Sequence, residues 1–310
     1  MRSIWLSKAI KEEINCKIIF FINKDSFSDK ILKKHNIDFK FLKKLYPTSK
    51  QEAFKISIFK PDLVIEDSPK TNNLWINEIK RNGAKMLSII SNKKSLNKSN
   101  FKLFPEKKKI INTKYVKSGF NYSLLSPLYW NSNAQLKNKE IKNILITFGG
   151  CDHLNLTCKL LKILDMFKKK LKITVIIGKY YNNSKQIKEI SKTLSHVVKL
   201  VNNPGSLFHY ISKSDFVING GGTTALEINN LQKPSLTMAI WKSQEELTKK
   251  LLNKKQYIFC FGKKDKPLKH EIYQIIKKNF EDKNFSFELK KKIDGKGCKR
   301  SAKWIKSLIV

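Results

Sequence analysis

Short apolar runs alternate with amphipathic stretches along the whole chain. The second half shows this most plainly. Residues 144–148 (ILITF) form a continuous apolar run ending in Gly149-Gly150, and a helical pattern follows over 154–167. Next come 173–177 (ITVII), a polar helix around 184–194, and a strand at 196–201. A strand at 215–219 (DFVIN) leads to a helix over 223–230, a strand at 234–238, a helix over 243–253 and a strand at 257–261. Helices near 268–279 and 298–309 close the series. Strands that are apolar on both faces, each followed by a helix, predict βαβ units and a parallel sheet covered on both sides.

The first half follows the same rule. Residues 16–22, 63–66 (LVIE) and 84–90 read as buried strands, and helices fit 3–13, 25–36, 49–59 and 71–82. This half begins on an amphipathic helix. In doubly wound sheets the first strand is central and its loop faces the ligand, so a helix with no strand ahead of it implies that a first strand is missing. Residues 131–140 are polar and aperiodic and predict the linker. The expected organisation is a domain over 1–135 and another over 136–310, with the last helix able to pack back on the first domain.

A length of 310 residues suits two domains, and 41% hydrophobic content is enough to give each a core. No apolar run approaches the roughly 18–20 residues of a membrane span, and Lys8, Lys11, Glu12 and Glu13 break the early apolar segment that a secretory signal would need. The formal charge of +38 comes from 60 Lys and only Arg2, Arg81 and Arg300. Dedicated phosphate and base readers favour the Arg fork. Lysines spread through every segment, including 107–109, describe a solvated surface. The expectation is therefore no specific nucleic-acid partner, with peripheral contact to an anionic membrane surface left open. Cys16, Cys151, Cys158, Cys260 and Cys298 make no CxxC pair, and His35, His153, His196, His209 and His270 no zinc spacing. A reducing cytoplasm, no metal and no cofactor are expected.

Two glycine-rich segments end strands in the second half. Gly149-Gly150 precedes Cys151, Asp152 and a helix; glycines there admit a ligand to the backbone, and the helix N-terminus favours negative charge. Asn219-Gly220-Gly221-Gly222-Thr223-Thr224 is the stronger signal. Three glycines after a buried strand, then two hydroxyls opening a helix, suit a diphosphate. Glu227, one turn further, could accept from ribose hydroxyls. The competing reading makes Thr223 a plain N-cap. Neither GxGxxG nor a Walker loop is present.

The runs ILITFGGCDHLNLT and DFVINGGGTTALEINNLQKPSLTMAIWKSQEEL resemble the C-terminal half of GT-B nucleotide-sugar proteins. They are most similar to the UDP-sugar hydrolases of pseudaminic acid biosynthesis and the related spore-coat polysaccharide proteins. Residues 61–67 (PDLVIED) and 119–127 (GFNYSLLSP) look like further segments of that family. The resemblance implies two Rossmann-type domains facing a cleft. It places UDP on the second, with Gly221, Gly222, Thr223 and Thr224 holding the diphosphate, Glu227 on the ribose and Gln244 near the sugar or phosphates; Gly149, Gly150 and Asn219 are further candidates for substrate contact, with a plain tight turn the alternative for Gly149-Gly150. In the family, water attacks the anomeric carbon of a UDP-linked 2,4-diacetamido-2,4,6-trideoxy sugar and UDP leaves, without a metal. A GT-B glycosyltransferase and a binding-only homologue use the same cradle.

This sequence departs from the family pattern twice. The Gly-x-Gly-His-x-x-Arg turn carrying the family's general-base His aligns only through its end, at Met1-Arg2-Ser3, and no His of this sequence occupies the matching position. Ser243 stands where the family has Asn. Asp67, at a strand end, is the remaining catalytic candidate together with Ser243; its alternative role is to cap the segment starting at Ser68.

Overall fold

Continuous apolar strands are stable only where both sheet faces are covered, and they form the centre of each half of the chain. The computed structural model describes residues 1–23, 28–42, 49–68, 71–91, 97–106, 110–132, 140–252, 256–260, 269–281 and 292–309. Most of the linker expected at 131–140 and the lysines at 107–109 lie outside these residues. The chain divides into two units, Met1–Asn131 with Asp294–Val310, and Ser132–Ile293.

In the first unit the elements are α1 (Arg2–Glu13), β1 (Ile19–Asn23), α2 (Ser28–Lys34), β2 (Asp38–Leu42), α3 (Lys50–Ser57), β3 (Leu63–Glu66), α4 (Asn73–Arg81), β4 (Lys85–Ile89), β5 (Phe101–Phe104) and β6 (Val116–Ser118). Strands β3-β4-β5-β6 form one parallel sheet, and β1-β2 form a separate parallel pair. Phe21 of β1 and Val64 of β3 pack against one core of Ala53, Ile56, Trp75, Ile76, Ile79 and Met86. Even so, no described strand joins the two sheets. Every position of β1 is only half-buried, whereas β4 is buried from Met86 to Ile89. The C-terminal helix α11 (Gly297–Ile309) belongs to this unit: Cys298, Ala302 and Ile305 are buried against Leu6, Ala9 and Ile10 of α1 and Leu87 and Leu103 of the sheet.

The second unit contains β7 (Asn143–Thr147), α5 (Leu156–Leu164), β8 (Lys172–Ile177), α6 (Ser184–Thr193), β9 (Val197–Asn202), α7 (Phe208–Lys213), β10 (Phe216–Asn219), α8 (Thr223–Asn230), β11 (Ser235–Ala239), α9 (Lys242–Leu251), β12 (Tyr257–Phe259) and α10 (Lys269–Glu281). All six strands are parallel, in the order β12-β11-β10-β7-β8-β9. Strands β10 and β11 are buried throughout, while β9 alternates at the sheet edge. Chain order reverses between β7 and β10, so the two following loops diverge and open a crevice at the carboxyl ends of these strands. Both units are mixed α/β with doubly wound parallel sheets, as the alternation of strand and helix predicts.

Candidate functional site

Both glycine-rich segments stand at that switch point. Gly220 continues the ladder by donating its N–H to the Thr147 carbonyl at 3.1 Å. Its α-carbon lies flat on Phe148: an added Cβ would meet the ring at 3.1 Å. The loops after β7 and β10 are thus welded at their bases and separate above.

Gly221 and Gly222 adopt φ values of +81° and +71°, which L side chains rarely adopt. Gly222 is the N-cap of α8, and no side chain caps that helix. Thr223 is the first helical residue, so the plain N-cap reading of Thr223 does not describe the loop. Ala225 N–H turns back to the Gly222 carbonyl at 3.1 Å; with no side-chain cap, the Thr223 and Thr224 N–H groups at the start of α8 are the ones that suit a bound anion, and the helix dipole adds to their attraction. Thr223 is exposed and Thr224 half-buried. Glu227 is half-buried one turn along, where its carboxylate lies on the same helix as the cradle.

Asn219 shapes this loop from beneath. Its side chain is fully buried; Oδ1 accepts from Gly221 N–H at 2.9 Å, and Nδ2 donates to Thr237 Oγ1 at 3.0 Å. Gln244, in the first turn of α9, walls the loop on the other side. Its Oε1 accepts from Ile240 N–H at 3.1 Å, and its Nε2 lies 3.6 Å from where a Cβ on Gly222 would sit. Both ends of the amide border the glycine loop: the backbone-anchored oxygen lies 3.3 Å from where a Cβ on Gly221 would sit, and the nitrogen lies beside Gly222. For Ser243 the structure describes the backbone at the start of α9 but not the side chain.

The loop after β7 is held with equal care. Gly149 has φ +72°. Asp152 is buried, with Oδ1 accepting from Leu156 N–H at 2.9 Å and Oδ2 from Thr157 N–H at 2.7 Å, which ties the loop to the start of α5. Gly178, at the end of β8, touches the back of the loop so closely that a Cβ there would lie 2.1 Å from the Gly149 carbonyl oxygen. Beside it, Tyr181 Oη donates to Asn155 Oδ1 at 2.6 Å, and burial raises its phenol pKa well above the ordinary value. Cys151 Sγ and His153 Nε2 share a hydrogen bond at 3.1 Å, and His153 meets Trp241 in a T-shaped contact with centroids 5.2 Å apart. Sequence reasoning gave neither His153 nor Trp241 a role in the site. The available signal was an aromatic residue at a strand end, three positions before Gln244.

Asp67 belongs to the first unit, at the carboxyl end of β3. The residue is exposed overall, but its carboxylate is taken up by side chains from the start of α1, and at Ser68 the N–H donates to Glu66 at 2.8 Å. Arg2 donates to Asp67 through Nε at 3.0 Å and forms an ion pair with it, while Ser3 Oγ donates to Oδ2 at 2.6 Å. Burial alone would raise the Asp67 pKa, but Arg2 and Ser3 outweigh it and hold the carboxyl below the usual range. Glu106 shows the opposite balance, its pKa raised by burial despite the pull of Arg2. Among the described residues no group of three His, Cys, Asp or Glu side chains is arranged to hold a metal ion, and no helix is long and apolar enough to cross a membrane.

No family model matches the chain. A curated relative, an uncharacterized protein of Methanocaldococcus jannaschii, is 28% identical over 247 residues, 73% of this chain and 49% of that protein. The chain thus spans about half the length of the curated relative it matches. Among solved structures, MurG of Acinetobacter baumannii superposes with a TM-score of 0.72 at 12% identity, covering 99% of this chain and 95% of that one. The UDP-GlcNAc 2-epimerase of Neisseria meningitidis bound to UDP-GlcNAc gives 0.64 at 15% identity, over 99% and 98%. MnaA of S. aureus with UDP gives 0.64 at 16%, over 99% and 93%. At these identities the likeness establishes the fold: two Rossmann-type α/β units of the GT-B class.

Proposed function

We propose that this protein binds a UDP-sugar through its second unit and hydrolyses the bond between the sugar and the diphosphate. The substrate expected from the family resemblance is a UDP-linked 2,4-diacetamido-2,4,6-trideoxy sugar of surface-glycan biosynthesis. The observation that carries the reading is the Gly220–Thr224 loop at the switch point, with two positive-φ glycines, an uncapped helix start and the Gln244 amide along one side. This set of donors suits a diphosphate, and Glu227, one turn further along α8, is the candidate for the ribose. The UDP-bound neighbours of the same fold support the choice of nucleotide.

In the proposed reaction a water oxygen bonds to the anomeric carbon, the carbon–oxygen bond to the β-phosphate breaks, UDP departs with the electron pair, and the proton lost by the water passes to the departing diphosphate or to solvent. Charge grows on the diphosphate as it leaves, and the N–H groups, the Thr223 and Thr224 hydroxyls and the helix dipole stabilise it. Gly149 and Gly150 keep the opposite wall free of side chains. Asp67 and Ser243 are the candidates to act on water or sugar. A carboxylate held ionised by Arg2 is a weak base, so Asp67 would orient rather than deprotonate.

The test is incubation with UDP-sugars in H2¹⁸O, with released UDP and sugar read by mass spectrometry. The expected result is acceptor-independent UDP release with ¹⁸O in the sugar and none in UDP. UDP release only when a lipid or sugar acceptor is added would replace the hydrolase with a transferase. Saturable UDP binding with no turnover would leave a binding protein.

A further inference from the structure

Trp241 stands apart from the other tryptophans of the chain. Trp75, Trp130 and Trp304 are buried in cores and Trp5 is half-buried, whereas Trp241 is 48% exposed. No core explains it. Its place in the sheet offers another reason: it follows β11, while its ring partner His153 follows β7, and β10 lies between those strands. Loops rooted two strand spacings apart, about 10 Å, meet with ring centroids only 5.2 Å apart. The two rings therefore lean toward each other across the strand that carries the Gly220–Gly222 loop.

This contact is built from both sides. The hydrogen bond to Cys151 Sγ fixes the imidazole. On the other side, Trp241 is the N-cap of α9, and its carbonyl accepts from Gln244 N–H at 2.9 Å. That places the indole one turn from the amide walling the glycine loop. The T-shaped geometry, with ring planes at 82°, engages at most one face of the indole and leaves area for a ligand.

We propose that Trp241, braced by His153, is the platform on which the sugar ring of the bound nucleotide-sugar stacks. The proposal rests on the UDP-sugar reading of the same site and adds to it the group that recognises the sugar. With the diphosphate at the start of α8 and the ribose at Glu227 along that helix, the other end of the diphosphate leaves toward the first turn of α9, where the indole stands. A pyranose offers a face of C–H groups that an indole covers well, and its hydroxyl edge remains for amide donors such as Gln244. No proton or electron moves in this step; the platform orients the anomeric carbon.

The test uses the full chain, titrated calorimetrically with UDP, UDP-N-acetylglucosamine and UDP-glucose, for the unchanged protein, Trp241→Ala, Trp241→Phe and His153→Ala. For Trp241→Ala the expected result is about a tenfold loss of affinity for at least one UDP-sugar and less than a twofold change for UDP. Trp241→Phe should recover part of the loss, and His153→Ala should show a smaller loss with the same selectivity. In the unchanged protein the sugar nucleotide should quench tryptophan fluorescence more than UDP does, and Trp241→Phe should abolish the difference. Equal weakening of UDP and both UDP-sugars would assign the indole to uracil or to loop shape and overturn the proposal, as would no change for any of the three. Failure of the unchanged protein to bind UDP at all would remove the UDP reading itself, an outcome distinct from these.

Discussion

Replacing Gly222 with alanine separates the shape of the phosphate cradle from the stability of the fold. Gly222 has φ +71° and ψ −147°, a region that is essentially glycine-only. A Cβ there would meet nothing closer than Gln244 Nε2 at 3.6 Å, an ordinary contact. The cost is therefore conformational and not steric, about 1–3 kcal/mol. Gly83, in the turn between α4 and β4, supplies the control: its φ is +89°, and a Cβ would meet nothing within 4 Å. The two variants should lose similar stability, seen as Tm decreases of a few degrees, at about 2–4 °C per kcal/mol for units of this size. They should differ in binding. We expect the Gly222 backbone to relax by turning the loop N–H groups out of the geometry that holds the diphosphate. Loss of one charge-assisted hydrogen bond is worth about 1.5–3 kcal/mol, or about a 10- to 150-fold rise in Kd. Calorimetric titration with UDP on the unchanged protein, Gly222→Ala and Gly83→Ala reads this directly. Unchanged UDP affinity in Gly222→Ala would refute the reasoning, and so would an equal loss in Gly83→Ala.

Other perturbations follow from the same geometry. Gly178→Ala places a Cβ within 2.4 Å of two backbone oxygens, so the loop at Gly149 must shift; we expect a loss of about 1–3 kcal/mol in urea unfolding, with weaker UDP binding. Asn219→Ala strands the buried Thr237 hydroxyl and frees the half-buried Gly221 N–H, and should cost about 1–3 kcal/mol while lowering UDP affinity, whereas Asn219→Asp should keep more of the loop. Ile305→Ala empties a fully buried position between α11 and α1 and should cost about 2–5 kcal/mol in the unfolding transition of the first unit, with UDP affinity unchanged. The pKa of Asp294 is lowered by its ion pair with Arg300, and that of Asp67 by Arg2 and Ser3 against burial. Both contributions are complete above the unfolded aspartate value, near pH ~4, and disappear as pH falls through the lower folded values. Tm measured downward from pH 5 should therefore fall more steeply for the unchanged protein than for a chain carrying Asp67→Asn and Asp294→Asn.

The sequence carried the second unit nearly whole, because its strands are buried on both faces and announce themselves as unbroken apolar runs. The boundaries of α8 and β3 agree with the periodicity to the residue. What it hid are elements whose stability comes from position. Strand β2 (DFKFL) alternates and is largely exposed, β6 is three residues long, and α7 has a single buried side chain, Ile211. None of these gives a window long enough for a period to show. The candidate site divides the same way. Gly221, Gly222 and Thr223 were legible because consecutive glycines before a helix have few other uses. The inward role of Asn219 was not, since an Asn beside glycines looks the same whether it faces a ligand or Thr237. The meeting of His153 with Trp241 depends on strand order, which joins residues 88 positions apart in the sequence, and no local pattern encodes it. Asp67 was found as a strand-end carboxylate, but its engagement by Arg2, contributed from the start of α1, came only from the fold.

The most direct test of the account is a UDP titration followed by calorimetry, with UMP and uridine alongside and Gly222→Ala as the paired variant. The account predicts saturable one-to-one binding in which UDP is tighter than uridine by at least about two orders of magnitude, as two or more charge-assisted bonds to the diphosphate require. The variant should lose most of that difference. Equal affinity for UDP and uridine, or no saturable binding of UDP, would contradict a diphosphate cradle at Gly220–Thr224.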